Sequence, residues 1–297
     1  MKKHTKIWLG ALFGLATITA ATGWYLRGRS VPVLQTAGEI ADKQRNLLIA
    51  CALLSVLVVV PVFWLLTHFA YKYSERNASA QYDPDQHGNN AMEVVWWLIP
   101  TLLMVVISTI TWRSSYAMDP YKPLASKNET LHVQVVAMDW KWLFIYPDQK
   151  VASVNEAAIP VDTPVDFEIT SDTVMSSFWV PSLGGQMYAM TGMNTHLNLQ
   201  ASKPGDYRGS AANVSGKGFA DMKFTVRAVS DDEFASWLGE ARRADVGLSQ
   251  DTYAMLARPG VEEKPSYYSS IDTELYDTIV MKYMMPTGQT ETHGDNH

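Results

Sequence analysis

The chain has 297 residues, of which 47% are hydrophobic and 18% are charged. The charged share lies below the roughly 25% of ordinary soluble domains, which argues against a disordered or acidic-tail protein. A net charge of −6 argues against a nucleic-acid-binding protein, because such proteins carry a basic patch. The single cysteine, Cys51, excludes a disulfide framework, a zinc ribbon and any metal centre that needs two thiolates.

The N-terminus combines basic residues with a hydrophobic run. The first six residues, MKKHTK, include three lysines, and residues 7–26 contain no charged side chain. Small residues lie at Ala20 and Ala21, as they do before a signal-peptidase cleavage site. Residues 1–26 are therefore predicted to be a secretory signal peptide or a retained signal anchor, and the pattern leaves both open.

Two further hydrophobic runs have the length of a membrane span. Neither residues 46–71 nor the interior of residues 93–113 contain Asp, Glu, Lys or Arg. At 1.5 Å per residue, about 20 apolar residues cross the hydrocarbon layer. We therefore predict transmembrane helices at 46–71 and 93–113, joined by a polar loop at 72–92. If the N-terminus is exported, this loop is cytoplasmic and the rest of the chain lies outside.

Short segments of β character follow the second span. They are residues 131–138, 140–146, 165–170, 196–200 and 223–229. Turn residues separate them, among them Pro160, Pro164 and Pro204. Short strands between turn residues indicate an all-β sandwich or barrel, and residues 126–229 have the length of one such domain.

Helical periodicity returns after the predicted β domain. Ser230 and Glu233 have the spacing of a capping box, and an amphipathic helical pattern follows them. Further helices are predicted at 249–257 and 273–285. Residues 230–285 are therefore predicted to form a helical C-terminal extension.

The last residues, 286–297, are polar and contain two histidines, His293 and His297. The composition predicts a disordered tail. Histidines in such a tail are expected to be solvated residues rather than metal ligands.

Four ordered motifs make the overall arrangement specific. They are EVVWWLIP at 93–100, MDWKWLFIY at 138–146, FWVPSLG at 178–184 and KPGDY at 203–207. With the preceding hairpin, the chain from Leu47 to Val229 resembles subunit II of the haem–copper respiratory oxidases. The resemblance implies a membrane α-helical hairpin followed by an all-β cupredoxin-like Greek-key sandwich and C-terminal helices.

The resemblance also identifies the positions of a metal site. Cytochrome c oxidases of this family carry a dinuclear copper centre, copper A, bound by two histidines, two cysteine thiolates and a methionine. Alignment through the VPSLG and PG stretches needs no gaps. It places Ser176 and Phe219 at the histidine positions, Ala211 and Ser215 at the cysteine positions, Asn213 at a backbone-carbonyl ligand and Met222 at the methionine. The resemblance therefore implies a degenerate copper-A site and no metal or cofactor in this chain.

Other candidate residues of the β domain favour structural interpretations. His132 and His196 cannot complete a dinuclear or blue-copper site without a thiolate, so they are interpreted as exposed strand histidines. Trp140 and Trp142 are expected to pack the domain onto subunit I. The methionines of the domain are interpreted as core residues that fill gaps in the packing rather than as Cu(I) ligands; they are Met187, Met190, Met193 and Met222.

The missing ligands imply a function in the quinol-oxidising, copper-A-less branch of the family, the cytochrome bo-type ubiquinol oxidases. In that branch, haems and the copper ion CuB are expected in subunit I, and oxygen is reduced to water with proton pumping. The implied partners are subunits I, III and IV, ubiquinol and the lipid bilayer, but not cytochrome c or nucleic acid. The implied location is the bacterial inner membrane, with the C-terminal domain in the periplasm.

Two alternatives remain open at this point. One is a true cytochrome c oxidase subunit II, against which the missing ligands argue. The other is a stand-alone, membrane-tethered cupredoxin-like binding protein or assembly factor, for which one anchor would suffice.

One residue is a candidate for chemistry in this chain. Glu93 begins the second predicted span, on the inner side by the topology above. In the family, a glutamate at this place is thought to help feed protons into an uptake channel of subunit I. The alternative is an interfacial glutamate that the dipole of the helix N-terminus stabilises.

Overall fold

The computed structural model describes residues 21, 23–24, 27, 31–75, 77, 88–261 and 264–284. The predicted signal segment at 1–26 lies largely outside the described residues, and so do residues 76 and 78–87 of the predicted loop at 72–92. The predicted tail at 286–297, with its two histidines, lies entirely outside them.

Two long helices precede the β domain, α1 (Glu39–Lys72) and α2 (Asn90–Ala117). Both are long and apolar enough to cross a membrane. Their large apolar side chains are exposed along most of their length, including Leu53, Phe63 and Trp97. Exposed apolar surface of this extent is suited to lipid or to other membrane helices.

Helix α1 begins at Glu39 rather than at Asn46, where the predicted membrane span begins. The additional turns are polar and carry an i,i+4 ion pair between Glu39 and Lys43 at 2.6 Å. Ile40 and Ala41 of this segment are buried against the β domain. Tertiary packing therefore extends the helix beyond its hydrophobic run.

The start of α1 is attached to the β domain through backbone hydrogen bonds. The Ala37 amide donates to the Ser182 carbonyl at 2.8 Å, and the Ser202 amide donates to the Ala37 carbonyl at 2.7 Å. Gly38 follows Ala37, and a Cβ atom at this position would come within 2.5 Å of the Gln200 carbonyl oxygen. This close approach requires glycine.

The β domain consists of two packed sheets. Its strands are β1 (Leu131–Met138), β2 (Lys141–Tyr146), β3 (Val151–Val154), β4 (Glu156–Pro160), β5 (Pro164–Ser171), β6 (Ser176–Trp179), β7 (Gln186–Ala189), β8 (Thr195–Gln200), β9 (Gly205–Ala211), β10 (Lys223–Val229) and β11 (Ser266–Tyr268). Sheet 1 has the order β11-β3-β2-β1-β5-β8, and sheet 2 has the order β4-β10-β9-β6-β7. The pairs β1–β5 and β4–β10 are parallel. The chain crosses repeatedly between the two sheets. The predicted all-β sandwich is confirmed.

Aromatic side chains fill the space between the sheets. Trp142 and Phe144 from sheet 1 meet Phe178 and Phe224 from sheet 2, with centroids of the last two rings 4.8 Å apart. All four side chains are buried. Inward-facing residues alternate with outward-facing ones along β10, as expected of a sandwich strand.

The five predicted strands correspond to β1, β2, β5, β8 and β10 with boundary differences of at most one residue. The other strands between them, β3, β4, β6, β7 and β9, were not predicted. Strands β3 and β4, for example, are separated by Asn155 alone, which has a φ of 58°. Asparagine tolerates this left-handed conformation, and here it turns the chain from one sheet into the other.

The C-terminal extension contains helices α3 (Asp231–Ala241), α4 (Gln250–Leu256) and α5 (Leu275–Met281). The capping box at Ser230 is present. The predicted C-terminal helices are confirmed, and the structure adds a short strand between them, because β11 pairs as an edge strand with β3 of sheet 1. The residues of β11 follow Pro265, which ends helical propagation and favours extended backbone before it.

The extension covers part of the outer face of sheet 1. Val136, Leu143 and Val154 on that face contribute to a second core, completed by residues of the extension. These residues are Leu248, Tyr253, Leu256, Leu275, Tyr276, Ile279 and Val280. The extension is therefore a packed layer of the domain.

Candidate functional site

The six positions identified from the resemblance lie together at one end of sheet 2. Ser176 begins β6, Ala211 ends β9, and Met222 precedes β10. The Ala211 amide donates to the Met222 carbonyl at 3.1 Å, and the Ala212 amide donates to the Ser177 carbonyl at the same distance. These bonds close the base of the loop at 212–222, which we call the site loop.

The side chains that meet at the site loop offer few metal donors. The Ser176 and Ser215 hydroxyls each lie 3.9 Å from the Met222 sulphur. Ser176 and Met222 are 2% and 1% exposed. Ala211 contributes a buried methyl group, and the Phe219 ring packs against the core. Two hydroxyls and one thioether are therefore the polar groups at this centre.

Asn213 lies at the exposed part of the site loop. Its side-chain amide donates to the Met175 carbonyl at 3.1 Å. This bond joins the site loop to the residue before β6. The asparagine side chain is therefore engaged in holding the loop.

Trp140 covers the site loop from sheet 1. Its indole nitrogen donates to the Ser215 carbonyl at 3.3 Å. Its ring lies against Gly218, where a Cβ atom would come within 2.4 Å of ring carbons. Trp140 also has a φ of 66°, an uncommon conformation for an aromatic residue, which the surrounding contacts maintain.

Trp142 does not have the expected role. Its side chain is fully buried within the sandwich, against the rings of both Phe178 and Phe224, so it cannot pack the domain onto another subunit. On a regular strand, the side chains of Trp140 and Trp142 would point to the same face, because they are two residues apart. The left-handed backbone at Trp140 breaks that alternation and turns the first tryptophan toward the site loop.

The four methionines do not converge. Met222 is buried at the site loop, whereas Met187 packs at the edge of the core and Met193 is exposed. Met190 contributes its carbonyl oxygen to the Thr170 hydroxyl at 3.3 Å. Their placement is consistent with scattered packing residues.

Glu93 lies in the first turn of α2. The Asn89 side chain caps this helix by accepting hydrogen bonds from the amides of Ala91 and Met92 at 2.9 and 3.4 Å. Glu93 is exposed and lines a shallow groove with Trp97. A carboxylate at this end of a helix is stabilised by the helix dipole.

His132 and His196 lie on sheet 1, away from the site loop. His196 Nδ1 is 3.1 Å from a carboxylate oxygen of Asp166, and His132 Nδ1 is 3.8 Å from the other oxygen. No motif in the linear sequence connects these residues with each other or with Asp166. The available signal was the alternation along the strands, which puts all of them on outward-facing positions.

Three family models match consecutive parts of the chain. Residues 23–113 match the transmembrane domain of cytochrome c oxidase subunit II, and residues 147–229 match its periplasmic domain. Residues 245–287 match the COX aromatic-rich motif. The packed C-terminal layer therefore belongs to a recognised module.

Curated relatives extend over most of the chain. The cytochrome bo(3) ubiquinol oxidase subunit 2 of Pseudomonas aeruginosa is 42% identical over 281 residues, covering 95% of this chain and 83% of the relative. The ubiquinol oxidase subunit 2 of Acetobacter aceti is 44% identical and covers 87% and 84%. Among solved structures, the periplasmic domain of cytochrome oxidase subunit II from Bradyrhizobium japonicum is 26% identical, with a TM-score of 0.38, and covers 41% of this chain and 98% of that domain. The chain belongs to the family of cytochrome bo(3)-type ubiquinol oxidase subunits 2.

Proposed function

We propose that this chain is a non-redox subunit II of a terminal oxidase that oxidises ubiquinol, reduces oxygen to water and pumps protons. The observation that carries the proposal is the set of side chains at the site loop. Ser176, Ser215 and Met222 supply the polar groups where these side chains meet at its centre, whereas Ala211 and Phe219 supply none.

This set does not fit a dinuclear copper centre. Such a centre requires thiolate and imidazole ligands, which bind copper strongly. Serine hydroxyls are weak ligands at neutral pH, and a phenyl ring has no donor atom. Trp140 and Phe219 instead fill the space around the loop with carbon.

Without a copper-A centre, this domain could not relay electrons, and this absence would determine the electron donor of the complex. Without copper A, a soluble cytochrome c has no acceptor in this domain. The donor must then reach subunit I directly within the membrane, which suits a lipid-soluble quinol. Haems and CuB would lie in subunit I, and the names of the curated relatives support the same donor.

The role of this chain would then be to pack on and cap subunit I. The exposed apolar sides of α1 and α2 provide surface for subunit I and lipid, and subunits III and IV complete the complex. The attachment of α1 to the β domain would orient the cap. The proposed location is a bacterial inner membrane, with the β domain in the periplasm.

Oxygen uptake by the complex, purified through a tag on this chain, tests the electron donor. We expect uptake with ubiquinol and none above background with reduced cytochrome c. Uptake driven by cytochrome c would contradict the proposal and favour a cytochrome c oxidase subunit. A haem-free preparation without uptake would contradict it in favour of a stand-alone cupredoxin-like protein.

Glu93 is proposed to help deliver protons to subunit I. A carboxylate at a membrane boundary can exchange protons with water and pass them inward. We expect Glu93→Gln to lower quinol-driven turnover several-fold, with the complex still assembled and its haem content unchanged. Glu75→Gln, beyond the end of α1, is the control and should have wild-type turnover. Unchanged turnover and pumping in Glu93→Gln would refute this role.

A further inference from the structure

Part of the outer face of sheet 1 is polar and is formed by the neighbouring strands β1, β5 and β8. His132 lies on β1 opposite Asp166 on β5, and His196 lies on β8 opposite Glu168 on β5. Alternation places all four on the side away from the aromatic core, next to the area that the C-terminal extension covers. We call these four residues the histidine–carboxylate cluster.

Three members of the cluster are close enough to share a ligand. Donor atoms of His132, Asp166 and Glu168 all lie within 4.8 Å of one another. The Asp166 side chain is 16% exposed, whereas the His132 side chain is 47% exposed. The cluster therefore has a largely shielded carboxylate at its centre and an opening to solvent at His132.

His196 lies on the other side of Asp166. Its Nδ1 atom is 3.1 and 3.2 Å from the two carboxylate oxygens, so one imidazole nitrogen holds the aspartate in position. The Tyr121 ring lies 6.1 Å from the imidazole, and the Gln134 amide lies 3.5 Å from the Glu168 carboxylate. The carboxylates are thus supported by hydrogen-bonding groups on both neighbouring strands.

The cluster has an excess of negative charge. Two carboxylates lie on the same face of one strand, and with neutral histidines the cluster carries a charge of −2. Within the part of the chain that the structure describes, no lysine or arginine forms an ion pair with either carboxylate. A bound cation would remove the repulsion between them.

We propose that the cluster is a binding site for a divalent transition-metal ion such as Zn²⁺, with His132, Asp166 and Glu168 as ligands. One imidazole and two carboxylates are ligand types that Zn²⁺ takes at about 2.0–2.2 Å, and the three donor atoms already lie within 4.8 Å of one another. His196 acts from outside the ligand set by orienting Asp166. The site lies on sheet 1, separate from the site loop, and the sequence-based expectation had been a chain without a metal.

Zn²⁺ titration of the full chain in detergent micelles tests this site. The protein is stripped with a chelator, carries a tag without histidine, and has the His293→Gln and His297→Gln substitutions so that the tail cannot bind metal. Isothermal titration calorimetry should find a Zn²⁺ ion bound to the parent protein, with at least tenfold weaker binding in Asp166→Asn, Glu168→Gln and His132→Gln. His196→Gln should weaken binding by about tenfold, as removal of an outer partner does.

Matched controls lie elsewhere in the chain. Asp206→Asn changes an exposed carboxylate on sheet 2, and His68→Gln changes a histidine of α1. Both should bind Zn²⁺ like the parent protein, and circular dichroism should show that every variant is folded. Equal Zn²⁺ affinity in the parent, Asp166→Asn and His132→Gln, or no binding to the parent, would overturn the proposal. Because the readout is metal binding, it is independent of the electron donor used by the complex.

Discussion

At the scale of single residues, Asp172 joins the end of β5 to the C-terminal extension. Its carboxylate accepts hydrogen bonds from the Tyr253 hydroxyl at 2.8 Å, the Lys282 ammonium at 2.7 Å and the Tyr283 hydroxyl at 3.1 Å. The Asp172 side chain is 4% exposed. A buried carboxylate is stable only with such partners. The extension therefore stabilises Asp172, and Asp172 in turn holds the extension on the domain.

Asp172→Ala should therefore destabilise the domain. Tyr253 and Lys282 lose their acceptor, whereas the Tyr283 hydroxyl keeps its 2.7 Å hydrogen bond to the backbone carbonyl of residue 172. Because Lys282 is half exposed and recovers solvation, we expect a loss of about 2 kcal/mol in the free energy of unfolding. Urea titration of the full chain in micelles, followed by tryptophan fluorescence, measures it. Asp251→Asn, at an exposed position in α4, should change stability by less than about 0.5 kcal/mol. Equal effects of the two substitutions would contradict the role of Asp172.

Alkaline pH should weaken the same layer. Burial and the hydrogen bond to Glu156 raise the pKa of Tyr267 to about 12, and the bond to Asp172 raises the pKa of Lys282 above its ordinary 10.5. Because the unfolded chain loses these protons at lower pH than the folded chain, the stabilisation is complete below about pH 10 and declines above it. The urea concentration at the midpoint of unfolding should decrease as the pH rises from 10 to 12. The decrease should be smaller in Tyr267→Phe. A midpoint that is constant over that range would contradict this assignment.

At the scale of elements, α1 is both a membrane helix and part of the domain surface. Its hydrophobic run follows from composition, but its first turns are held by contacts with Ser182, Leu183 and Ser202. The helix therefore connects the bilayer to the β domain without a flexible joint at Gly38. A substitution at Gly38 should therefore affect both the membrane helix and the β domain.

Gly38→Val should disrupt this attachment, because its Cβ would meet the Gln200 and Leu183 carbonyl oxygens at 2.5 and 2.9 Å. Backbone cannot move aside cheaply, so we expect lower thermal stability and less assembled complex. Gly185→Ala is the control: its Cβ would approach the flexible Gln44 side chain at 2.9 Å, which can rotate away. Both are measured by thermal unfolding in micelles and by haem recovered with the tagged chain. Wild-type assembly of Gly38→Val would show that the attachment is dispensable.

At the scale of the whole molecule, the domain has three layers rather than two. Sheet 2 and sheet 1 enclose the aromatic core, and the C-terminal extension covers the apolar half of the outer face of sheet 1. The uncovered half carries the histidine–carboxylate cluster. One face of a single sheet thus combines a packing surface with a proposed metal site.

Ending the chain after Arg242 should unfold or aggregate the domain. The described residues after Arg242 contribute seven buried apolar side chains, each worth about 1.5–3 kcal/mol, so their combined loss is comparable with the about 5–15 kcal/mol that stabilises a whole domain. Binding of a hydrophobic dye and loss of a cooperative melting transition measure the effect. A chain that ends after Met284 should behave like the full chain. A folded, monomeric product of the shorter truncation would contradict the three-layer description.

Much of the architecture could be predicted from local patterns. Apolar runs of spanning length identify α1 and α2, and alternation identifies β1, β5, β8 and β10, because these signals depend on neighbouring residues alone. Strand β11 could not be found in this way. Its extended conformation depends on pairing with β3, a contact more than a hundred residues away in sequence.

The candidate functional site also has some features that the sequence determines and others that depend on the fold. The sequence by itself determined which side-chain donors are present at the proposed copper-A positions, since side-chain chemistry does not depend on folding. Only the tertiary structure decided that Trp142 lies inside the core while Trp140 covers the site loop, because the left-handed backbone at Trp140 interrupts the strand alternation. It also decided that His132, Asp166, Glu168 and His196 meet, because strand pairing brings together residues that are distant in the chain.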